Sequence, residues 1–147
     1  MRGVGILGLG TVGVGVVQLI REHLSDRFEV MAAGVRDAGR DRGVSGFRVT
    51  TDLASVVDDP AVEVVVEVMG GLEPAWSLIQ RAQTHGKPVV TANKMLVASL
   101  YQDIGDLRFE AAVGAALPVV QVLRTLRETN RISRIEGILN GTTHFML

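Results

Sequence analysis

The sequence predicts an α/β fold: a doubly wound, mostly parallel open sheet with helices on both faces. Short apolar runs alternate with stretches of helical periodicity along the chain, the pattern of successive β–α units. The run VEVVVEV at 62–68 is nearly continuous in β-branched residues, which suits a central strand covered on both sides. The glycine-rich stretch GLGTVG falls where the first apolar run meets the first helical one.

The elements follow in order. VGILGL reads as a buried strand. Val12, Val16, Leu19, Ile20 and Leu24 then recur at helical spacing, predicting a helix over 11–24. FEVMAAGV (28–35) is a second strand, and the charged, glycine-rich 36–46 is a surface loop. FRVTTD gives a short third strand. Asp52 is placed to cap a brief helix that ends at Pro60. After the strand at 62–68, Gly70 and Gly71 break the chain. Pro74 opens a helix to His85, with Gly86 just past its end. KPVVTA is a strand and KMLVASLY a helix. LRFEAAV (107–113) reads as a strand, Pro118 opens a helix to about Glu128, and ISRIEGIL (132–139) reads as a final strand.

Composition narrows the function. With 147 residues, 47% of them apolar, the chain can bury a domain core. A formal net charge of -1 argues against nucleic acid and anionic membrane surfaces as partners. There is no cysteine, so disulfides and thiolate metal sites are excluded. Glycines interrupt the first apolar run, and no stretch has the length of a membrane span, so the expectation is a soluble, cytoplasmic protein.

The glycine stretch sets Gly8, Gly10 and Gly13 in the spacing G-x-G-x-x-G between a strand and a helix. Gly8 permits a tight turn, Gly10 lets the backbone approach a pyrophosphate, and Gly13 lets the helix pack on the strand. The N–H groups of Thr11 and Val12 then face the phosphates at a helix N-terminus. This is a Rossmann-like dinucleotide site. A carboxylate closing the second strand would hold the ribose of NAD. Here that strand ends Val35-Arg36-Asp37, and the guanidinium of Arg36 favours the 2′-phosphate of NADP. A solvated arginine in a charged loop is the competing reading, and Asp37 leaves NAD open.

GILGLGTVGVGVV, VVVEVMGGLEPA, GKPVVTANKMLVA, LRFEAAVGAALPVV and GILNGTTHFML occur in that order. Together they resemble the N-terminal part of homoserine dehydrogenase, over essentially the whole chain. TANK and NGTT are far more specific than the glycine loop. The resemblance implies interconversion of L-homoserine and L-aspartate 4-semialdehyde with NAD(P)H, on the pathway to threonine and methionine. It implies that Thr11 and Val12 bind the pyrophosphate, that Arg36 contacts the 2′-phosphate, and that Met69 and Gly70 border the nicotinamide. It places Lys94 at the cofactor–substrate junction as the candidate catalytic residue and Gly141 near substrate. It implies a sodium ion held by backbone oxygens of Glu110, Val113, Ala115 and Leu117, and a homo-oligomer for a full-length member. Lys94, one of two lysines with Lys87, also follows a strand at the sheet edge where such folds bind ligands. Its ammonium there can stabilise charge as hydride arrives. The competing reading is a solvated lysine at a helix start, against the helix dipole.

His144 stands where the family more often has asparagine, while His23 and His85 sit near helix ends without metal-ligand spacing. Trp76 reads as packing. Only eleven residues separate Lys94 from Asp106, close to the minimum of roughly 10–12 for a parallel crossover, so the helix there is cut to about two turns or residues are absent. Residues 1–136 would form the dinucleotide-binding domain and 137–147 the start of a substrate domain, whose acid–base lysine and carboxylates lie beyond Leu147. The chain would then bind cofactor with little or no turnover, its tail from Asn140 disordered or buried against a neighbouring chain. The alternatives are a non-catalytic NADP-binding module, or another amino-acid or semialdehyde reductase on the same sheet. An in-frame continuation carrying a lysine and acidic residues would exclude the module.

Overall fold

A computed structural model describes residues 1–114 and 117–137. Five strands form one sheet in the order β3-β2-β1-β4-β5. They are β1 (Arg2–Leu7), β2 (Phe28–Gly34), β3 (Arg48–Thr50), β4 (Val64–Glu67) and β5 (Val89–Thr91), and every pairing is parallel. The helices are α1 (Thr11–His23), α2 (Leu53–Asp58), α3 (Ala75–Thr84), α4 (Lys94–Leu100) and α5 (Val119–Thr129).

Because side chains alternate across a strand, neighbouring residues of one strand serve different cores. Val4 and Ile6 of β1 face a cluster with Val17 and Ile20 of α1. Leu7 faces the opposite cluster, with Val56 and Val57 of α2 and Leu78 and Ile79 of α3. The same alternation sends Val64 to the first core and Val65 to the second. Helices therefore cover both faces of the sheet, as its near-continuous β-branched central strand requires. Trp76 is partly buried against the second core, a packing residue as expected.

Local signals set the helix ends. The Asp52 carboxylate accepts the Ser55 N–H at 3.1 Å and starts α2. Asn93 does the same for α4, accepting from Leu96 N–H at 3.2 Å. At the end of α2 the Lys87 ammonium donates to the carbonyls of Val57 and Asp59, at 2.6 and 2.7 Å. His23 is the last residue of α1 and His85 caps α3, as their positions suggested.

Beyond β5 the expectations need correction. Residues 107–113 do not form a strand. Arg108 alone makes a parallel bridge to Val90, and Glu110–Ala112 is a 3-10 turn. Leu107 and Phe109 are buried, so the chain touches the sheet. It then leaves, because the Glu110 carboxylate accepts the Val120 N–H at 3.0 Å at the start of α5. The short crossover is met by a helix of seven residues, about two turns. Residues 131–137 also carry no strand; they run mostly exposed, with no neighbouring strand among the described residues to pair with. The rest of that predicted strand, and the tail from Asn140 with Gly141 and His144, lie outside the described residues.

Candidate functional site

The carboxyl ends of β1, β2 and β4 open onto a cleft of about 1000 Å³. Gly8, Gly10, Thr11, Arg36, Met69 and Gly70 all line it, so a single surface gathers residues from three separate sequence stretches. A smaller hollow of about 310 Å³, bordered by Met1, Phe28 and Phe47, lies toward the amino ends of the strands. Ligands of open parallel sheets bind at the carboxyl ends, where the strand order reverses, and here β1 has β2 on one side and β4 on the other.

The glycines have distinct structural duties. Gly8 has φ of 103°, and a Cβ there would lie 2.9 Å from the Val68 carbonyl oxygen. A Cβ on Gly13 would lie 2.0 Å from the Gly8 carbonyl oxygen, so α1 can approach β1 only with glycine at that position. Gly10 is different: a Cβ would meet nothing within 4 Å, because that side faces the cleft. Gly10 is also the N-cap of α1 and brings no side-chain cap. The first N–H groups of a helix have no partner within it, so those of Thr11, Val12 and Gly13 are available to an anion. Val12 is 55% exposed and is not among the residues bordering the cleft. This geometry fits a dinucleotide's pyrophosphate.

At the β2 side, Arg36, Arg40 and Arg42 border the cleft with Asp37 and Asp41. The Arg42 guanidinium holds the loop, donating to the carbonyls of Arg40 and Asp37, both at 2.6 Å. The Asp37 carboxylate accepts the Gly39 N–H at 2.9 Å. Arg36 is exposed and makes no side-chain hydrogen bond among the described residues.

The β4 side is built around Glu67, which is 0% exposed. Its carboxylate accepts the N–H groups of Met69 and Gly70, at 2.8 and 3.4 Å, and the Thr91 hydroxyl at 2.5 Å. The Thr91 oxygen in turn accepts the Asn93 N–H at 3.0 Å. The Asn93 amide donates to the Gly71 carbonyl at 2.6 Å. Lys94 follows as the first residue of α4; it is exposed and is not among the residues bordering the cleft. Sequence reasoning missed Glu67 and Thr91. The available signal was a glutamate at the end of a β-branched run, where burial demands hydrogen-bond partners.

Among the described residues no three histidine or carboxylate side chains gather as a metal site. A carbonyl-built site is a separate matter. The Glu110 carbonyl accepts the Val113 N–H at 3.1 Å, and the Leu117 carbonyl accepts the Val119 N–H at 2.8 Å. Each carbonyl keeps a second lone pair, so these oxygens retain capacity for a hard cation. Ala115 lies outside the described residues. No helix among the described residues is long and apolar enough to cross a membrane.

A parallel sheet with a glycine turn, an uncapped helix N-terminus and a cleft at the strand-order reversal defines a Rossmann-type NAD-binding domain. Residues 8–116 match the family model described as homoserine dehydrogenase, NAD binding domain, and residues 118–147 match the homoserine dehydrogenase model. The chain belongs to the homoserine dehydrogenase family. It is 43% identical to the homoserine dehydrogenase of Synechocystis over 159 residues, covering 98% of this chain and 37% of that protein. It is 37% identical to that of Bacillus subtilis, again covering 98% of this chain and 37% of the relative. The crystal structure of a homoserine dehydrogenase from Thiobacillus denitrificans superposes with a TM-score of 0.88 at 40% identity, over 99% of this chain and 37% of that one. The chain thus spans little more than a third of the length of these relatives. Its alignment with the Synechocystis protein has 159 positions, more than its own 147 residues, so it lacks residues that the relative has within the matched span.

Proposed function

We propose that this chain is the cofactor-binding portion of an enzyme that interconverts L-homoserine and L-aspartate 4-semialdehyde, with NADP as the preferred nicotinamide cofactor. The observation that carries the proposal is the cleft itself: the glycine turn and uncapped α1 lie at its centre, with Arg36 on one side and Met69 and Gly70 on the other. The N–H groups of Thr11 and Val12 hold the pyrophosphate. Arg36 pairs with the 2′-phosphate, for which its planar, permanently charged fork is suited. Met69 and Gly70 form the wall beside the nicotinamide, which supplies or accepts the hydride when bound. Lys94 stabilises the developing charge on the substrate oxygen.

The domain division belongs to the same proposal, with residues 1–136 binding the dinucleotide and 137–147 opening the substrate region, where Gly141 lies. A sodium ion on the carbonyls of Glu110, Val113, Ala115 and Leu117, and a homo-oligomeric whole protein, are the further parts of the reading.

Fluorescence titration with NADPH and NADH tests it. NADPH is expected to bind tighter; failure of both to bind at millimolar concentration refutes the reading, and tighter NADH refutes the role of Arg36. Arg36→Ala is expected to weaken NADPH about tenfold, the worth of a charge-assisted pair, and to leave NADH unchanged. With L-homoserine and NADP the chain is expected to turn over little or not at all. Robust turnover would overturn the assignment of the acid–base lysine to a position beyond Leu147.

A further inference from the structure

We propose that Glu67, acting with Thr91 and Asn93, is a positioning device that fixes the nicotinamide wall of the cleft against the start of α4, and so against Lys94. This rests on the cofactor reading above. Glu67 and Thr91 are register partners across β4 and β5, the last residues of their strands. Both are 0% exposed. The carboxylate acts only as an acceptor: one oxygen takes the N–H groups of Met69 and Gly70, the other takes the Thr91 hydroxyl. Asn93 closes the circuit, reaching back to the Gly71 carbonyl while capping α4 through Leu96.

The turn being held needs holding. Gly70 and Gly71 have φ of 78° and 77°, so neither brings a side chain to restrain the backbone. Met69 and Gly70 border the cleft, and Lys94 is the residue after Asn93. One circuit of hydrogen bonds thus joins the cleft wall to the helix carrying the candidate catalytic ammonium. A valine at position 67 would fill the strand without desolvating a carboxylate, but it could not bind two backbone N–H groups. The buried acid is explained by the geometry it imposes.

Two ligands separate this from general loosening. NADPH spans the whole cleft; the phosphorylated ADP-ribose that lacks only the nicotinamide engages the glycine turn and the arginines. Thr91→Val removes the hydroxyl at constant volume. It is expected to weaken NADPH roughly tenfold while leaving the nicotinamide-free ligand unchanged. Thr91→Ser keeps the hydroxyl and is expected to restore NADPH affinity. Glu67→Gln, which puts a donor where an acceptor is needed, should repeat the selective loss. Equal weakening of both ligands by Thr91→Val and by Glu67→Gln would make the network merely structural and overturn the proposal. Unchanged NADPH affinity in both variants would do the same. If the unsubstituted chain binds neither ligand, the cofactor reading itself fails; if it binds both and only the selectivity is missing, the positioning role alone is lost.

Discussion

The helices that cover the sheet and the helix α5 are alike amphipathic, but only the former bury residues of their apolar faces. Val17 of α1, Val65 of β4 and Ile79 of α3 are 0% exposed, closed between helix and strand on opposite sides of the sheet. In α5 no residue is buried, and Val122 and Leu126 remain 49% and 44% exposed. Helical periodicity is enough to form α5, whereas burial requires a complementary surface. The cleft lies at the border of the closed region, where the start of α1 and the turn after β4 line it.

The largest expected effect lies in the closed region. Ile79→Ala should destabilise the chain by about 2–5 kcal/mol, measured by urea unfolding, since the surrounding helices and strands cannot collapse onto the cavity. A loss well under that range would mean this core is no better packed than α5. Next is Gly13→Ala, whose Cβ must displace the Gly8 carbonyl. An overpacking cost of about 1–3 kcal/mol is expected, together with weakened NADPH binding, because the same turn borders the cleft. Stability lost with NADPH affinity intact would detach the turn from the cofactor.

Acid probes the closed region's rim. The hydrogen bond from Arg81 holds the Asp58 carboxyl below its ordinary range, against a smaller opposing effect of burial. Asp59 is lowered in the same way, first by Arg48 and then by the Ala61 N–H. Because both folded values are depressed, their stabilisation is fully present above the unfolded aspartate value of about 3.9 and is lost as pH falls through the folded values. Thermal melts below about pH 4 should therefore decline, and Asp59→Asn should flatten that decline. An unchanged slope in the variant would show that the pair with Arg48 is a solvated surface contact. The smallest effect belongs to α5, where Leu126→Ala should change stability by less than about 0.5 kcal/mol. A larger loss would reveal a partner for that face.

Much of this architecture was legible from spacing. The glycine triplet, the β-branched run at 62–68 and the cap at Asp52 are local signals, and each occurs where expected. The predicted strand at 107–113 failed because pairing is not local. Apolar Leu107 and Phe109 look alike whether anchored by one bridge or by a ladder, and Glu110 was drawn to the α5 N-terminus. Of the candidate site, Gly8, Gly10, Thr11, Arg36, Met69 and Gly70 were readable and share one cleft. Glu67 and Thr91 were not, because a carboxylate and a hydroxyl carry no periodic signal.

Alternation of apolar runs with helical stretches was sufficient for a parallel sheet covered on both faces, and the glycine spacing for a helix N-terminus at the cleft. Those properties depend on neighbours within a few residues, where chain geometry is set by backbone sterics and hydrogen bonding. The folded chain alone decided that Glu67 meets Thr91 across 24 residues of sequence, and that Val122 and Leu126 of α5 stay exposed. Contacts of that kind depend on which surfaces close over one another, and strand register rather than local pattern brings them together.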